Sequence, residues 1–365
     1  MAIQSHFNKF DKTIYLTNQS DDYKEAKEKD VSILDAIKIK FKENKFSVEN
    51  SFLQGSFSVD TAIKSKTGDY DIDRSIVINS DTAPEDPLKP KNVILEVLEN
   101  RNFQDPKVKM PCVTADYLSK NLHIDFTVYS KDQFENYKLS VGKRGSSDDL
   151  KEWSDSDPIG LKDWILSTNN YGEGSSIKRK QFKRFVRFIK RWRDVTFGEE
   201  VKKKIFSIGL TVMIKNEYKP DTWRSDVDDD LTALKRVIDN ILGGAYLNLA
   251  SSNPDQYRIY VPLPCSPYRD IFQHKNEIGN KESGSDKNIG TQLKNKLTTL
   301  QNKLQEAIDE TDEVKQCKIL NKVFGEDFKV PEKKTDNSSN SSGQKAASVF
   351  PSAGAVGTSQ GAICK

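Results

Sequence analysis

The sequence predicts an α+β protein with a strand-rich first half, a helical second half and a low-complexity end. Three observations carry this. Residues 70–78 and 122–129 alternate apolar and polar side chains, long stretches after Ser175 repeat their apolar residues at helical spacing, and the chain beyond Lys334 is dominated by Ser, Asn, Gly and Ala. The resulting boundaries are 1–150 for the α+β lobe, 151–330 for the helical lobe and 331–365 for a tail whose composition cannot bury a core.

Residues 22–45 place Val31, Ile33, Leu34, Ile37 and Phe41 at three- and four-residue spacing among Lys and Glu, which predicts an amphipathic helix. A strand is expected near Ser51–Gln54, and another over Tyr70–Ile78, where Asp71 and Asp73 share the face opposite Ile72. The proline-rich run from Asp81 to Pro90 reads as a loop, and Val93–Leu98 as a short helix. In LHIDFTVY, residues 122–129, Leu122, Ile124 and Phe126 share one face of a strand while His123, Asp125 and Thr127 share the other. Helices are expected at about 176–194, 200–216, 226–249 and 286–323. Leu293, Leu297, Leu300 and Leu304 have heptad-like spacing that lasts too briefly for a coiled coil and predicts packing within the lobe.

Composition narrows the functional classes. With 35% hydrophobic and 30% charged residues, the chain can form a sizeable core. It has no apolar run near the ~20 residues that cross a bilayer. The N-terminus MAIQSHFNKF lacks a signal pattern, so a cytoplasmic protein without a membrane partner is expected. Cys112, Cys265, Cys317 and Cys364 are far apart and form no CxxC pair, which leaves neither a zinc ribbon nor a disulfide framework to read. The net charge of +3 reflects near-cancellation of 57 basic by 54 acidic residues, so charge placement carries the information.

The chemistry-bearing residues are carboxylates. Phosphoryl and nucleotidyl transfer call for divalent cations that neutralise a triphosphate and align an attacking hydroxyl, and such hard cations take oxygen ligands. Asp71 and Asp73, one residue apart on a strand, point to one face and can bridge two Mg²⁺ ions, with Mn²⁺ as a substitute. Asp125 stands among apolar residues, where an unpaired charge is expensive to bury and a metal removes the penalty. Gly55-Ser56 follows a predicted strand fifteen residues before Asp71, so its amides and hydroxyl can cradle β- and γ-phosphates. In the helix 178–194, Phe182, Phe185, Val186, Ile189 and Trp192 form an apolar stripe, leaving Lys183, Arg187, Lys190 and Arg191 on polar flanks, one of which should line a cleft.

These residues resemble a family. Gln54-Gly55-Ser56-Phe57, Asp60-Thr61, Asp71-Ile72-Asp73 and His123-Ile124-Asp125 are similar to the motifs of the cGAS/DncV-like nucleotidyltransferases (CD-NTases) of the polymerase-β-like superfamily. Trp153 with Ser156-Asp157-Pro158, the helix from Phe182, Phe206-Ser207-Ile208 and Leu320 to Gly325 resemble the bacterial cyclic GMP-AMP synthase (DncV) branch. The resemblance spans roughly residues 20–330. It implies a bilobed enzyme: a polymerase-β-like nucleotidyltransferase lobe with a mixed sheet, a helical C-terminal lobe and a central cleft. It also implies two NTP substrates, ATP and GTP foremost, Mg²⁺, and a cGAMP-like cyclic dinucleotide released with pyrophosphate in anti-phage (CBASS) signalling, where the diffusible product reaches a separate effector.

Carried over residue by residue, Gln54, Gly55 and Ser56 contact the triphosphate, Asp71, Asp73 and Asp125 hold the metals, and Lys190 and Ser207 grip phosphates. Asp270 falls where relatives place a base-contacting acid, and a helix-start or solvated aspartate is an equal reading of it. Val59 stands where near relatives offer an aromatic, which leaves base contact to other residues. The tail has a family counterpart joined to other molecules by ubiquitin-like conjugation, although this one ends Ile363-Cys364-Lys365 and not in Gly or Ala.

Other residues have structural explanations. His123 is expected to support the site, since Mg²⁺ prefers oxygen. Asp226, Asp228, Asp229 and Asp230 precede an apolar-periodic run and suit a helix N-terminus. Nine of residues 178–194 are Lys or Arg, yet the aromatics fall on the apolar stripe, so phosphate contact is favoured over nucleic-acid binding. Transfer of a nucleotide to RNA or a small acceptor, and a non-catalytic sensor, are the alternative functions.

Overall fold

The computed structural model describes residues 2–17, 19–64, 70–101, 103–117, 122–275 and 281–332. The tail anticipated over 331–365 lies outside these residues from 333 onward. Chain contacts divide the protein into Met1–Pro331 and Glu332–Lys365, and the first unit is the one considered below.

Helices α1 (Ala2–Ile14) and α2 (Asp21–Glu43) open the chain. Strand β1 (Val48–Leu53) runs into a single helical turn, α3 (Gly55–Ser58), and β2 (Tyr70–Asn79) follows. Next come α4 (Leu88–Glu99), β3 (Gln104–Val108), β4 (Val113–Tyr117), β5 (Leu122–Lys131), β6 (Tyr137–Val141) and β7 (Glu152–Ser156). The helical half comprises α5 (Pro158–Leu166), α6 (Ser175–Thr196), α7 (Glu199–Lys202), α8 (Ser207–Glu217) and α9 (Asp230–Gly243). Two small hairpins, β8 (Leu247–Ser251) with β9 (Gln256–Ile259) and β10 (His274–Lys275) with β11 (Lys281–Glu282), precede α10 (Lys287–Asp309) and α11 (Glu313–Phe324).

Helix ends depart from the sequence expectation where caps intervene. The helix expected over 286–323 is two, because the Asp312 carboxylate accepts from the Lys315 amide and starts α11 afresh. The one expected over 226–249 begins at Asp230, capped by Asp229, and stops at Gly243-Gly244 before β8. That over 200–216 is interrupted by Phe206, whose extended backbone precedes α8. Asp226 and Asp228 pair with Arg224, and Asp228 also with Arg236, which accounts for the acidic run as a helix-start network.

The described strands form a mixed seven-stranded sheet in the order β1-β2-β5-β4-β3, with β6 on β5 and β7 on β6. Only β2 and β5 are parallel among the described pairings. Alternation divides the sheet into two faces. Ile72, Ile76, Ile78, Ile124, Phe126 and Val128 pack with Ile33, Leu34, Ile37 and Phe41 of α2 and Ile94, Leu95 and Leu98 of α4. The opposite face carries Asp73, Ser75, Asp125 and Thr127. A second core joins the helices, including Leu293, Leu297, Leu300 and Leu304 as expected. Helix α1, within the 1–150 boundary, buries Phe7, Phe10 and Ile14 in this helical core, against Phe188, Phe324 and Phe328.

Burial of Asp30 at 0% exposure and Arg74 at 8% ties α2 to β2 through the Arg74 Nε–Asp30 Oδ1 hydrogen bond of 2.9 Å and a second contact from the same guanidinium. Removing one partner strands the other charge in the core. Asp30→Ala is expected to lower unfolding free energy by about 3–5 kcal/mol in a urea titration. A loss below ~1 kcal/mol would mean that the pair contributes nothing to the attachment of α2.

Candidate active site

Two adjacent parallel strands set the carboxylates. Asp73 of β2 is the register partner of Asp125 of β5, so the two side chains stand next to each other on the face turned away from α2 and α4. On its other side Asp125 pairs with Thr114 of β4, and Thr114 with Lys107 of β3. Asp71 is placed by its backbone one row along, opposite His123. Its side chain lies outside the described ones. His123 Nδ1 meets the Asp116 carboxylate on β4, which agrees with a supporting role.

Gly55 meets Asp73 directly. Gly55 has φ of 62°, a left-handed backbone, and a Cβ there would fall 2.0 Å from Asp73 Oδ2. The loop and the carboxylate are therefore in contact, with the Gln54 amide donating to the Asp73 carbonyl at 2.9 Å. The Gln54 side chain is engaged within the protein. It donates to Thr127 Oγ1 at 3.0 Å and accepts from Ser75 Oγ at 2.7 Å and Tyr129 Oη at 3.1 Å. In this arrangement Gln54 braces the Gly55 turn against the sheet. Burial pushes the Tyr129 phenol up to about 12, so it remains a donor.

The opposite wall is α6. Lys190, 7% exposed, donates to the Thr61 carbonyl at 2.9 Å, while Arg187 donates to the Asp60 carbonyl and holds Asp11 with two bonds of 2.7 and 2.8 Å. Arg191 donates to the Lys64 carbonyl, and Lys183 pairs with the Asp60 carboxylate. The expected polar flank is thus buried, and it clasps residues 60–64. Arg193 donates to Ser207 Oγ at 2.6 Å, which leaves the hydroxyl proton able to donate elsewhere.

A cavity of about 610 Å³ gathers these pieces. Gln54, Gly55, Ser56, Asp73, Asp125, Lys190 and Ser207 all line it. Asp270 does not. Its carboxylate accepts from the Val261 and Phe272 amides at 3.0 and 3.1 Å and from the Gly284 amide, which makes it a brace for the 259–285 region. Lys109 and Cys265, which belong to no motif, also line the cavity, as do Thr61 of the Asp60-Thr61 motif and Tyr129 at the end of the 122–129 strand. Neither Lys109 nor Cys265 sits in a periodic or spaced pattern that could have flagged it. Cys112 does not line the cavity but lies near Asp125. Burial first, and then the neighbouring Asp125 carboxylate, push its thiol up to about 12, so it stays protonated beside that carboxylate.

The residues present fit a divalent cation. Asp125 Oδ1 is buried with no hydrogen-bond partner among the described residues, a costly state that an ion would relieve. The neighbouring Asp73 adds a second hard oxygen donor. Among the described side chains no three His, Cys, Asp or Glu gather into a metal-holding group, and Asp71, the third member by sequence, falls outside that set.

Comparison with known proteins meets this geometry. The family model "Cyclic GMP-AMP synthase DncV-like, nucleotidyltransferase domain" matches residues 49–129, the span from β1 to β5 that holds every one of these carboxylates and the Gly55 turn. Over residues 49–129 the chain is similar to the DncV-like nucleotidyltransferases. A cyclic GMP-AMP synthase of Escherichia albertii is 30% identical over 184 residues, covering 48% of this chain and 38% of that protein. The match therefore spans well under half of the curated relative. Among solved structures, the Bradyrhizobium diazoefficiens CD-NTase CdnG in complex with GTP superposes with a TM-score of 0.65 at 15% identity, covering 90% of this chain and 96% of that one. Escherichia coli CdnC with ATP gives 0.60 at 14% identity, covering 89% and 98%. Vibrio cholerae DncV in complex with the linear intermediate pppA(3′,5′)pG gives 0.53 at 20% identity, covering 77% and 69%. The fold of the chain is thus that of the CD-NTase structures. No helix of the described residues is long and apolar enough to cross a membrane.

Two outcomes follow from the contacts. Gly55→Ala sets a methyl against Asp73 in a strained backbone and is expected to weaken Mn²⁺-dependent ATP binding about five- to a hundredfold, as about 1–3 kcal/mol of strain implies. Unchanged affinity in a fluorescence titration would mean that the turn and carboxylate need not touch. The second concerns pH. Burial, and then Arg193, bring Lys190 down to about 7 from its usual 10.5. The ammonium is fully present below 7 and lost above, so metal-free nucleotide affinity should fall as pH rises through 7, and binding between pH 7 and 9 should take up a proton. Calorimetry in buffers of differing ionisation enthalpy reads that uptake, which Lys190→Met should abolish.

Proposed function

We propose that this chain is a cyclic oligonucleotide synthase that joins two purine NTPs into a cGAMP-like cyclic dinucleotide with release of pyrophosphate. The observation that carries it is the in-register pair Asp73–Asp125, facing a cavity whose far wall supplies Lys190 and Ser207 and whose edge is the Gly55-Ser56 turn. The ligands of the similar structures, GTP, ATP and a linear pppApG intermediate, belong to those proteins and agree with NTP substrates here.

In this reading Gly55, Ser56, Lys190 and Ser207 hold the β- and γ-phosphates of the donor nucleotide. Asp71, Asp73 and Asp125 hold divalent cations, Mg²⁺ first. Such ions neutralise the triphosphate and lower the pKa of the attacking hydroxyl. A 3′- or 2′-hydroxyl of the acceptor nucleotide sits against Asp125, which accepts its proton. The hydroxyl oxygen bonds to the donor α-phosphorus, the bond to the bridging α–β oxygen breaks, and pyrophosphate departs. The linear product turns round and the same residues close the ring. In a cytoplasmic setting the product is a diffusible messenger of anti-phage (CBASS) signalling that acts on a separate effector.

The decisive experiment incubates the full chain with the four labelled NTPs, singly and together, with Mg²⁺ or Mn²⁺, and identifies phosphatase-resistant products by mass spectrometry. A cyclic product from purine NTPs is expected. Asp125→Ala should reduce its formation by about 10³-fold, as several kcal/mol of lost transition-state stabilisation implies, while ATP binding stays measurable. Near-normal turnover in that variant, or nucleotides added only to RNA or a small acceptor, would overturn the reading.

A further inference from the structure

The row of side chains that begins with the carboxylates does not end at them. Asp73, Asp125, Thr114 and Lys107 are successive register partners across β2, β5, β4 and β3, so all four stand on one face of the sheet. Two strand spacings put Lys107 about 10 Å beyond Asp125. Lys109, the next residue on that face, lines the main cavity together with Asp73 and Asp125. It also lines a second, open cavity of about 490 Å³ walled by Lys107, Lys143 and Arg144. The two spaces therefore meet at Lys109.

This second groove is strongly basic and held in shape from beneath. Lys107, Lys109, Lys143 and Arg144 are all exposed. Lys107 pairs with Asp105, whereas no carboxylate lies within ion-pair distance of Lys109, Lys143 or Arg144 among the described residues. Two chain segments carry these cations, and one fully buried lysine of α4 holds both. Lys91 Nζ donates to the carbonyls of Lys109, Met110 and Gly142 at 2.7, 2.8 and 2.6 Å. The Gly142 amide donates to the Met110 carbonyl at 2.9 Å, and Arg144 Nε donates to Asn92 Oδ1, one residue along α4. Three cations without a carboxylate partner, beside the Lys107–Asp105 pair, are thus gathered on a rim that cannot easily spread, which favours an anion with several negative charges.

We infer that this groove receives the 5′-polyphosphate of the acceptor nucleotide, an inference that rests on the two-NTP reading of the main site. The direction follows from the order of residues across the sheet. The donor phosphates belong at the Gly55 and Lys190 end, so the acceptor hydroxyl reaches Asp125 from the opposite side, over β4 and β3. Its ribose then passes Lys109, where the two spaces meet, and its 5′-phosphates arrive at Lys107, Lys143 and Arg144. The groove selects a triphosphorylated acceptor over a nucleoside, and after the first joining step it holds the triphosphate of the linear product until that product turns round.

The test uses the full chain with a 2′,3′-dideoxy-NTP as donor, which cannot itself accept, and compares an NTP acceptor with the corresponding nucleoside. Lys143→Ala/Arg144→Ala is expected to raise KM for the NTP acceptor roughly tenfold, a difference that shrinks in 0.5 M salt, and to shift KM for the nucleoside less than twofold. An equal effect on both acceptors, or on neither, overturns the inference. Binding of inorganic tripolyphosphate, followed by calorimetry, reads the groove without turnover: the wild type is expected to take up two and the double variant one. Identical stoichiometry overturns the groove even if catalysis is present. A wild-type chain that joins no nucleotides overturns the two-NTP reading and the acceptor assignment with it, and the tripolyphosphate arm then tells whether a polyphosphate site of another kind is there.

Discussion

The clasp of α6 on residues 60–64 is the interaction on which the site depends. Arg187, Lys190 and Arg191 are spaced along one flank of the helix, and each gives up solvent to donate to a backbone carbonyl of a single short segment. That segment follows the Gly55-Ser56 turn directly. Burial of three cations is expensive unless each finds an acceptor, and the segment offers one carbonyl to each, with Asp327 facing Arg191 Nε at 3.1 Å as a further counter-charge. The helical half therefore does more than close a cleft. It fixes the distance between the turn and the wall that faces it, while Asp11 on α1 anchors Arg187 from the other side.

The sheet supplies a complementary constraint. One face is apolar and spent on α2 and α4, so the register of β2 against β5 cannot slip without burying aspartates and exposing isoleucines. Polar residues on the opposite face are consequently held in fixed rows. Gln54 shows how this works. Its amide bonds to Ser75, Thr127 and Tyr129 at once and joins these three polar groups into one network beneath the turn.

Much of this was legible in the sequence because it is periodic or local. The alternation in 70–78 and 122–129 was enough to set Asp73 and Asp125 on one face, and the stripe of Phe182, Phe185, Ile189 and Trp192 was enough to orient α6. What the stripe could not reveal is that the flank beside it is buried, since spacing says nothing about which carbonyls a cation will meet. Helix α1 carries the same periodic signal, with Ile3, Phe7, Phe10 and Ile14 at helical spacing, but that spacing says nothing of partners such as Phe188, more than 170 residues away. For Asp270 the resemblance offered a base contact and the sequence a helix-start or solvated aspartate, and neither could show that its carboxylate meets the amides of Val261, Phe272 and Gly284, which only the folded loops bring together. Lys109 and Cys112 sit in a turn with no pattern, and only the pairing of β4 with β5 brings them to Asp125.

The parallel pairing of β2 with β5 also bears on how the protein reaches its working form. Every other strand pair described in the large sheet is antiparallel, whereas this one joins positions 52 residues apart, with α4, β3 and β4 lying between them in the chain. Such a pairing must meet a loop-closure cost that local helices and hairpins do not. The Asp73–Asp125 pair therefore exists only where this long-range contact of the sheet has been made. A partly folded chain can possess the Gly55 turn, the β3–β4 hairpin and helix α6 and still lack two neighbouring carboxylates, so the competence to gather metal and nucleotide is acquired together with the completed fold and not ahead of it.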